Sequence, residues 1–123
     1  MKIKSHRDLD VYRLAFELAM KIFDTSKTFP SDGKYSLTDQ IRRSSRSVCA
    51  NIGEAFRKRR YEKSFVAKLT DAEGEAAESQ VWIEFAQANG YLPPEKANDF
   101  YTAYDEVIGK LVTMSNQTDK WCL

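Results

Sequence analysis

The residues of this sequence whose types and spacing suit chemistry lie in one stretch with helical periodicity. Five polar side chains recur there every three or four residues, and we refer to them as the polar seam: Gln40, Ser44, Ser47, Asn51 and Glu54. This spacing places all five on one face of a helix, beside an apolar stripe. Glu54 is a candidate general base, but no histidine or nucleophile accompanies it. We therefore predict that the polar seam is structural and forms hydrogen bonds with a neighbouring helix, with ligand or partner binding as the second possibility.

Metal and cofactor chemistry have little support in the sequence. His6 is the single histidine, and Cys49 and Cys122 lack the paired spacing of metal ligands. The acidic residues between 71 and 78 lack a loop that would enclose a cation. The sequence also contains no glycine-rich phosphate loop and no nucleophile motif. We expect no catalytic residue, no enzyme activity, no metal and no cofactor, and we expect both cysteines to be free thiols.

Basic residues concentrate in one part of the chain. Residues 42 to 68 hold nine Lys and Arg against two Glu, whereas residues 69 to 109 hold nine acidic residues against one Lys. Such a basic helix face suits phosphate groups. The predicted nucleic-acid-binding residues are Arg42, Arg43, Arg46, Arg57, Lys58, Arg59, Arg60 and Lys63. An equally weighted alternative is that these cations pair with the acidic surface of the third helix, in the same chain or in a neighbouring copy.

Long helices must position these residues. The chain has 123 residues, 42% of them hydrophobic, and a net charge of +1. This composition is typical of one folded domain over residues 1–123, and it excludes a multidomain enzyme and a disordered chain. Apolar residues recur with helical spacing, and Gly and Pro interrupt them at few positions. We predict helices over about 8–27, 36–59, 61–89 and 94–116, joined by short loops in an all-α, up-down-up-down four-helix bundle.

The third helix carries two apolar seams, where a four-helix bundle needs one. The first seam consists of Phe65, Leu69, Ala72, Ala76, Ser79, Ile83 and Ala86. The second seam consists mostly of small residues, namely Ala67, Thr70, Gly74, Ala77, Val81, Phe85 and Ala88. The first helix is also apolar around most of its circumference. We predict that the second seam mediates self-association, above all through Ala67, Gly74, Val81 and Phe85; the alternative is a wide core face in a monomer.

Part of the sequence also resembles a known family. Residues 40–43 read Gln-Ile-Arg-Arg and residues 47–54 read Ser-Val-Cys-Ala-Asn-Ile-Gly-Glu. Further matching positions are Phe29, Pro30, Tyr35, Leu37, Phe65, Leu69, Gly74, Glu78, Gly90 and Tyr91. In these residues the chain resembles the four-helix bundle proteins encoded in 23S rRNA intervening sequences, which are related to the accessory variability proteins of retroelements. The sequence departs from the pattern of that family at Ala55, at Glu75 and in the basic stretch 56–63.

The resemblance implies a homopentameric, barrel-like ring without an established enzymatic activity, and one relative serves diversity-generating retroelements as an accessory subunit. We therefore expect a non-enzymatic homo-oligomer that binds structured nucleic acid through its basic face, with RNA favoured over DNA. The alternative is a protein-interaction scaffold or accessory subunit that docks an acidic partner or a nucleic-acid enzyme. Residues 1–10 lack the apolar stretch of a signal peptide, and no apolar run reaches the length of a membrane span, so we expect a cytoplasmic protein without membrane contact.

Overall fold

The computed structural model describes residues 3–30 and 36–123, and within these ranges it contains helices and no strand. The four long helices are α1 (Asp10–Ser26), α2 (Leu37–Arg57), α3 (Glu62–Ala88) and α4 (Pro94–Ser115). A short 3-10 helix (His6–Asp8) precedes α1, and a single turn, α5 (Thr118–Trp121), follows α4. Helix α2 packs between α1 and α3, and α4 packs against α3 and α1. The prediction of an all-α helical bundle is therefore confirmed.

The long helices begin and end within two residues of their predicted bounds. One of the two largest differences is at the start of α1, where Leu9 has an extended backbone (φ −78°, ψ 130°) and separates α1 from the preceding 3-10 helix. That 3-10 helix has its own capping box. The Ser5 side chain accepts a backbone N–H of the 3-10 helix, and the Asp8 side chain accepts the backbone N–H of Ser5. The helical pattern of residues 8–27 therefore includes two separate elements. Tyr35, one position of the family resemblance, lies outside the described residues.

The turns between the helices follow from local chemistry. At the start of α2, the Ser36 hydroxyl accepts a hydrogen bond from the Asp39 N–H at 3.3 Å. At the end of α3, Gly90 adopts φ +78°, which only glycine adopts without strain. The Tyr91 N–H then reaches back to the Ala86 carbonyl at 2.8 Å, closing a Schellman motif. The chain therefore reverses sharply, and α4 runs back along α3.

The first seam of α3 forms the centre of the core. All seven of its residues are buried, and they pack with apolar side chains of the other three long helices.

Two serines of this interior meet across the α2–α3 interface: Ser44 of α2 and Ser79 of α3 face each other with their Oγ atoms 2.8 Å apart. Both are fully buried, and each hydroxyl also lies within hydrogen-bonding distance of a carbonyl of its own helix; one of them donates to the other serine. The Ser44–Ser79 contact thus gives two buried hydroxyls a hydrogen-bond partner at the α2–α3 interface.

The second seam of α3 lies on the outside of the bundle. All of its residues are exposed, and a Cβ atom placed on Gly74 would meet nothing within 4 Å. The alternative that this seam is a wide core face of a monomer is therefore wrong. The exposed aromatic Phe85 lies next to the half-buried Trp82, with ring centroids 5.9 Å apart. Within the described part of one chain, this face has no helix covering it.

Candidate functional site

The polar seam of α2 faces α3 over part of its length. Ser44 bonds to Ser79, as described above. One turn further on, the Ser47 hydroxyl donates to Glu75 Oε2 at 2.9 Å. Glu54 accepts from Lys68 Nζ of α3 at 2.9 Å. Three of the five residues therefore form a hydrogen bond or ion pair with α3.

The other two residues of the polar seam differ from the prediction. The Asn51 amide donates to the Ser47 carbonyl at 2.9 Å, so it bonds within its own helix. Gln40 is half-buried beside Trp82 and Phe85, and its amide forms no hydrogen bond with the described residues. Both side chains therefore lie beside α3 residues without forming a hydrogen bond to them.

Glu54 is also not the interior group that a structural seam implies. Its side chain is 54% exposed. The hydrogen bond from Lys68, aided by the charge of that residue, lowers the pKa of the Glu54 carboxyl below its usual value. A general base needs a raised pKa near the working pH, so this environment opposes catalysis by Glu54. Glu54 therefore contacts α3 as an ion pair at the surface of the interface and is not an interior group.

Arg43 binds the acidic surface of α3. Its guanidinium donates to both carboxylate oxygens of Glu75, at 3.0 and 3.2 Å, and to Glu78. The Trp82 indole N–H donates to the same Glu78 carboxylate at 3.1 Å. The hydrogen bonds from Arg43 lower the pKa of Glu75 against the opposing effect of desolvation. Arg43 is among the residues predicted to bind phosphate. In the structure it pairs instead with the acidic surface of α3 in the same chain, which is the alternative interpretation.

Arg42 and Arg46 turn toward α1. Arg42 Nε donates to Ser26 Oγ at 2.8 Å, and its guanidinium carbon lies 4.5 Å from the centre of the Phe23 ring. Arg46 lies at 5.7 Å from the same ring and remains exposed. Arg42 is therefore held by the fold, whereas Arg46 keeps its charge at the surface. Of the three predicted α2 arginines before residue 50, only Arg46 remains available to a partner.

The turn between α2 and α3 keeps its charges exposed. We call the four basic residues there the turn cluster: Arg57, Lys58, Arg60 and Lys63. All four are exposed, and none forms an ion pair or side-chain hydrogen bond with residues 3–30 or 36–123. Arg59 differs, because its guanidinium lies on the Phe56 ring at 3.7 Å and its Nε donates to the Phe56 carbonyl. The predicted basic set therefore separates into three fixed residues, the exposed Arg46 and the turn cluster.

Sequence reasoning missed Tyr61, the residue that begins α3. Its side chain is 63% exposed, in the middle of the turn cluster. Its backbone is fixed, since the Tyr61 N–H donates to the Lys58 carbonyl and the Tyr61 carbonyl accepts from Phe65. The sequence does contain a feature that could have identified this residue, namely an aromatic side chain between basic residues at a predicted turn. That combination is typical of surfaces that bind nucleic-acid strands.

Two exposed apolar patches lie away from the turn. The first, the α1 patch, is an open groove lined by Tyr12, Phe16, Ala19, Met20 and Phe23, with Arg46 and Cys49 at its edge. The second, the α3 patch, consists of Val81, Trp82 and Phe85, with Leu37 and Gln40 beside it. Phe16, Met20 and Phe85 are each about half exposed. Clusters of this kind are uncommon on a surface that faces only water.

Neither cysteine has the setting of a reactive or metal-binding thiol. Both Cys49 and Cys122 are free. Burial raises the pKa of Cys49 to about 11, so its thiol stays protonated at neutral pH. In the described ranges, no group of three or more His, Cys, Asp or Glu residues is arranged to hold a metal ion. The described helices also include none that is long and apolar enough to span a membrane.

Comparison with known proteins gives a consistent result. The profile of the family described as 23S rRNA-intervening sequence protein matches residues 7–113. The fold is similar to the 1.70 Å crystal structure of a protein of unknown function from the S23 ribosomal protein family of Bacteroides thetaiotaomicron, with 25% sequence identity and a TM-score of 0.77. The similarity covers 87% of this chain and 96% of that protein. No curated protein matches the sequence.

Proposed function

The chain belongs to the family of 23S rRNA-intervening sequence proteins, and we propose that it is a non-enzymatic, homo-oligomeric helical bundle. Its ligand is structured nucleic acid, RNA in preference to DNA, bound through phosphate groups. The observation that carries this proposal is the turn cluster, four exposed cations without a partner among the described residues. The site is therefore narrower than the whole basic stretch and lies at one end of the bundle.

The electrostatics of the turn support phosphate binding. Residues 57 to 63 contain five basic residues and one acidic residue, although the chain as a whole has a net charge of only +1. A concentrated field of this kind attracts polyanions and releases counterions from them on binding. The α2–α3 groove has the opposite character, since Glu75 and Glu78 there compensate Arg43. We therefore assign the phosphate contacts to the turn cluster and do not include the α2–α3 groove in the phosphate-binding site.

The oligomeric part of the proposal rests on the two apolar patches. The α1 patch and the α3 patch lie on different helices, so a contact between one patch and the other in a second copy is heterologous. Repeated contacts of this type close into a ring when the rotation between copies is suitable. Arg46 beside the α1 patch and Glu84 beside the α3 patch are both exposed and of opposite charge, which favours this pairing. The resemblance to the family implies five subunits, with a mass about five times 14.1 kDa.

A titration of nucleic-acid binding against salt tests the proposal. The test variant exchanges three residues of the turn cluster for Gln: Arg57, Lys58 and Arg60. The matched control exchanges three other exposed lysines, at the opposite end of the bundle, for Gln: Lys21, Lys27 and Lys96. Both variants lose three positive charges per chain, so they separate a local site from a general effect of net charge.

The expected result is measured by fluorescence anisotropy with a labelled RNA hairpin. For the parent protein, affinity should fall with salt by roughly 0.7 to 0.9 log units per log unit for each phosphate contacted. The turn variant should bind more weakly and with a flatter salt dependence, whereas the lysine control should bind like the parent. Absence of binding at about 50 mM salt, or equal losses in both variants, would contradict the proposal.

A scaffold function is the second candidate, and the α1 patch favours it. This apolar groove is bordered by Arg46, and apolar grooves of this kind are the usual docking sites for the apolar face of an amphipathic helix. In that case the turn cluster docks an acidic surface, such as that of a nucleic-acid enzyme, in place of RNA. Binding of one defined protein that survives nuclease treatment and requires Phe16 would support the scaffold over the RNA ligand.

A further inference from the structure

An exposed aromatic residue, Tyr61, lies in the sequence between residues of the turn cluster and has no part in the proposed phosphate contacts. We infer that Tyr61 stacks on an unpaired base while the four basic residues around it bind the adjoining phosphates, so that the preferred ligand is a single-stranded stretch of the nucleic acid. This inference rests on the proposed function and specifies which part of a structured RNA is bound, namely a loop, bulge or end.

The exposure of Tyr61 needs its own explanation. At 63% exposure it is the most exposed aromatic residue among those that are described. Of the other exposed aromatics, Phe16 and Phe85 belong to apolar patches that a second copy of the chain can cover, and Tyr101 is only 37% exposed. Tyr61 instead has Arg60, Glu62 and Lys63 as its neighbours and lies outside both patches. Self-association through the patches therefore leaves Tyr61 in water.

The backbone holds the tyrosine in place. The Tyr61 N–H and carbonyl both bond within the turn and the first turn of α3, to Lys58 and Phe65 at 2.9 Å. Its side chain makes no capping hydrogen bond to α3. Nearby, Arg59 covers the Phe56 ring at 3.7 Å. The turn therefore offers one aromatic face on a fixed backbone, and the Tyr61 side chain has no other structural role there.

Stacking distinguishes unpaired from paired nucleotides. In a duplex the faces of the bases are stacked against one another, so an aromatic side chain on a protein surface has access only to the backbone and groove edges. Unpaired bases expose their faces and stack on Tyr, Phe or Trp with little dependence on sequence. A turn with four phosphate-binding cations and one tyrosine therefore favours a single strand over a duplex.

The test compares two RNA ligands and three variants by fluorescence anisotropy. The ligands are a labelled 12-nucleotide polyuridine and a blunt RNA duplex of the same length. The variants are Tyr61→Ala, Tyr61→Phe and, as a matched control, Tyr101→Ala, which removes a tyrosine of α4 that is 37% exposed. Thermal melting by circular dichroism checks that each variant is folded.

We expect the parent to bind the single strand more tightly than the duplex. Tyr61→Ala should weaken binding of the single strand by about five- to a hundredfold and change duplex binding by less than about twofold. Tyr61→Phe keeps the aromatic face and should bind like the parent, as should Tyr101→Ala. Equal losses for both ligands, or no loss for the single strand, would overturn the inference and leave phosphate binding standing. A parent protein that binds neither RNA would overturn the proposed function as well.

Discussion

Replacing Phe85 by Ser is the most direct test of the proposed assembly. A phenylalanine side chain has about 200 Å² of surface to bury, and the Phe85 residue is 52% exposed in the single chain. About 100 Å² therefore remains for a second copy, which at about 25 cal/mol per Å² corresponds to about 2.5 kcal/mol for each contact between subunits. That loss weakens each contact about fiftyfold. The other half of the Phe85 side chain packs within the chain beside Trp82, so Phe85→Ser should lower the stability of the fold modestly, and circular dichroism checks that the variant remains helical.

Light scattering over a dilution series measures this effect. The parent should keep the mass of a ring at micromolar concentration, whereas Phe85→Ser should dissociate at concentrations higher by more than an order of magnitude. Tyr101→Ser serves as a control, since it removes an exposed aromatic residue from α4, away from both patches. Gly74→Leu gives an independent check: a Cβ atom added at Gly74 meets nothing within 4 Å in one chain, so a loss of assembly without a loss of stability reports crowding between subunits. A monomeric parent, or a Phe85→Ser variant that assembles like the parent, would refute the reasoning.

Three further predictions concern the α2–α3 interface. Ser79→Ala removes a buried hydroxyl bonded at 2.8 Å and should lower the free energy of unfolding by about 1 kcal/mol in a denaturant titration, since its partner keeps a bond within its own helix. Arg43 lowers the pKa of Glu75, so the stability from this pair should be complete above the ordinary pKa of a glutamate and should be lost as the pH falls through the lowered value. Glu75→Gln should abolish that part of the acid sensitivity in melting experiments between neutral and acidic pH. Glu54→Ala removes only an exposed ion pair with Lys68 and should shift the melting temperature less than Ser79→Ala does.

The helices and the core could be predicted from the sequence because periodicity determines which residues share a face. The first seam of α3, from Phe65 to Ala86, is buried throughout, and the second seam is exposed throughout. The break at Leu9 escaped prediction, because its apolar side chain continues the helical pattern while its backbone leaves the helix. Helical patterning reports the direction of a side chain and says nothing of backbone dihedral angles.

The candidate site could be predicted only in part, because arginine side chains are long enough to reach partners on different neighbouring helices. Arg42 and Arg43 are consecutive residues of α2, yet the Arg42 side chain reaches Ser26 of α1 and the Arg43 side chain reaches Glu75 of α3. Partners at such distances depend on how the helices pack, which one sequence does not report. Lys58 and Arg60 are exposed and form no ion pair with the described residues, because they lie in the turn and not on a helix face that packs against another helix. Tyr61 was overlooked because a single aromatic residue at a turn has no periodicity.

The position of the turn cluster at one end of the bundle gives an assembled protein a direction. A cyclic ring repeats every subunit with the same orientation along its axis, so the turns of all copies lie on one rim when the helices run along that axis. The two rims then differ chemically, because the opposite rim carries the α1–α2 and α3–α4 connections. Several individually weak sites on one rim act together on a polymer that spans them, and such multivalent binding can exceed a single contact by about 10²- to 10⁴-fold. A ring of this kind distinguishes a long strand from a short one by the number of subunits that the strand reaches, and it approaches that strand with only one of its faces.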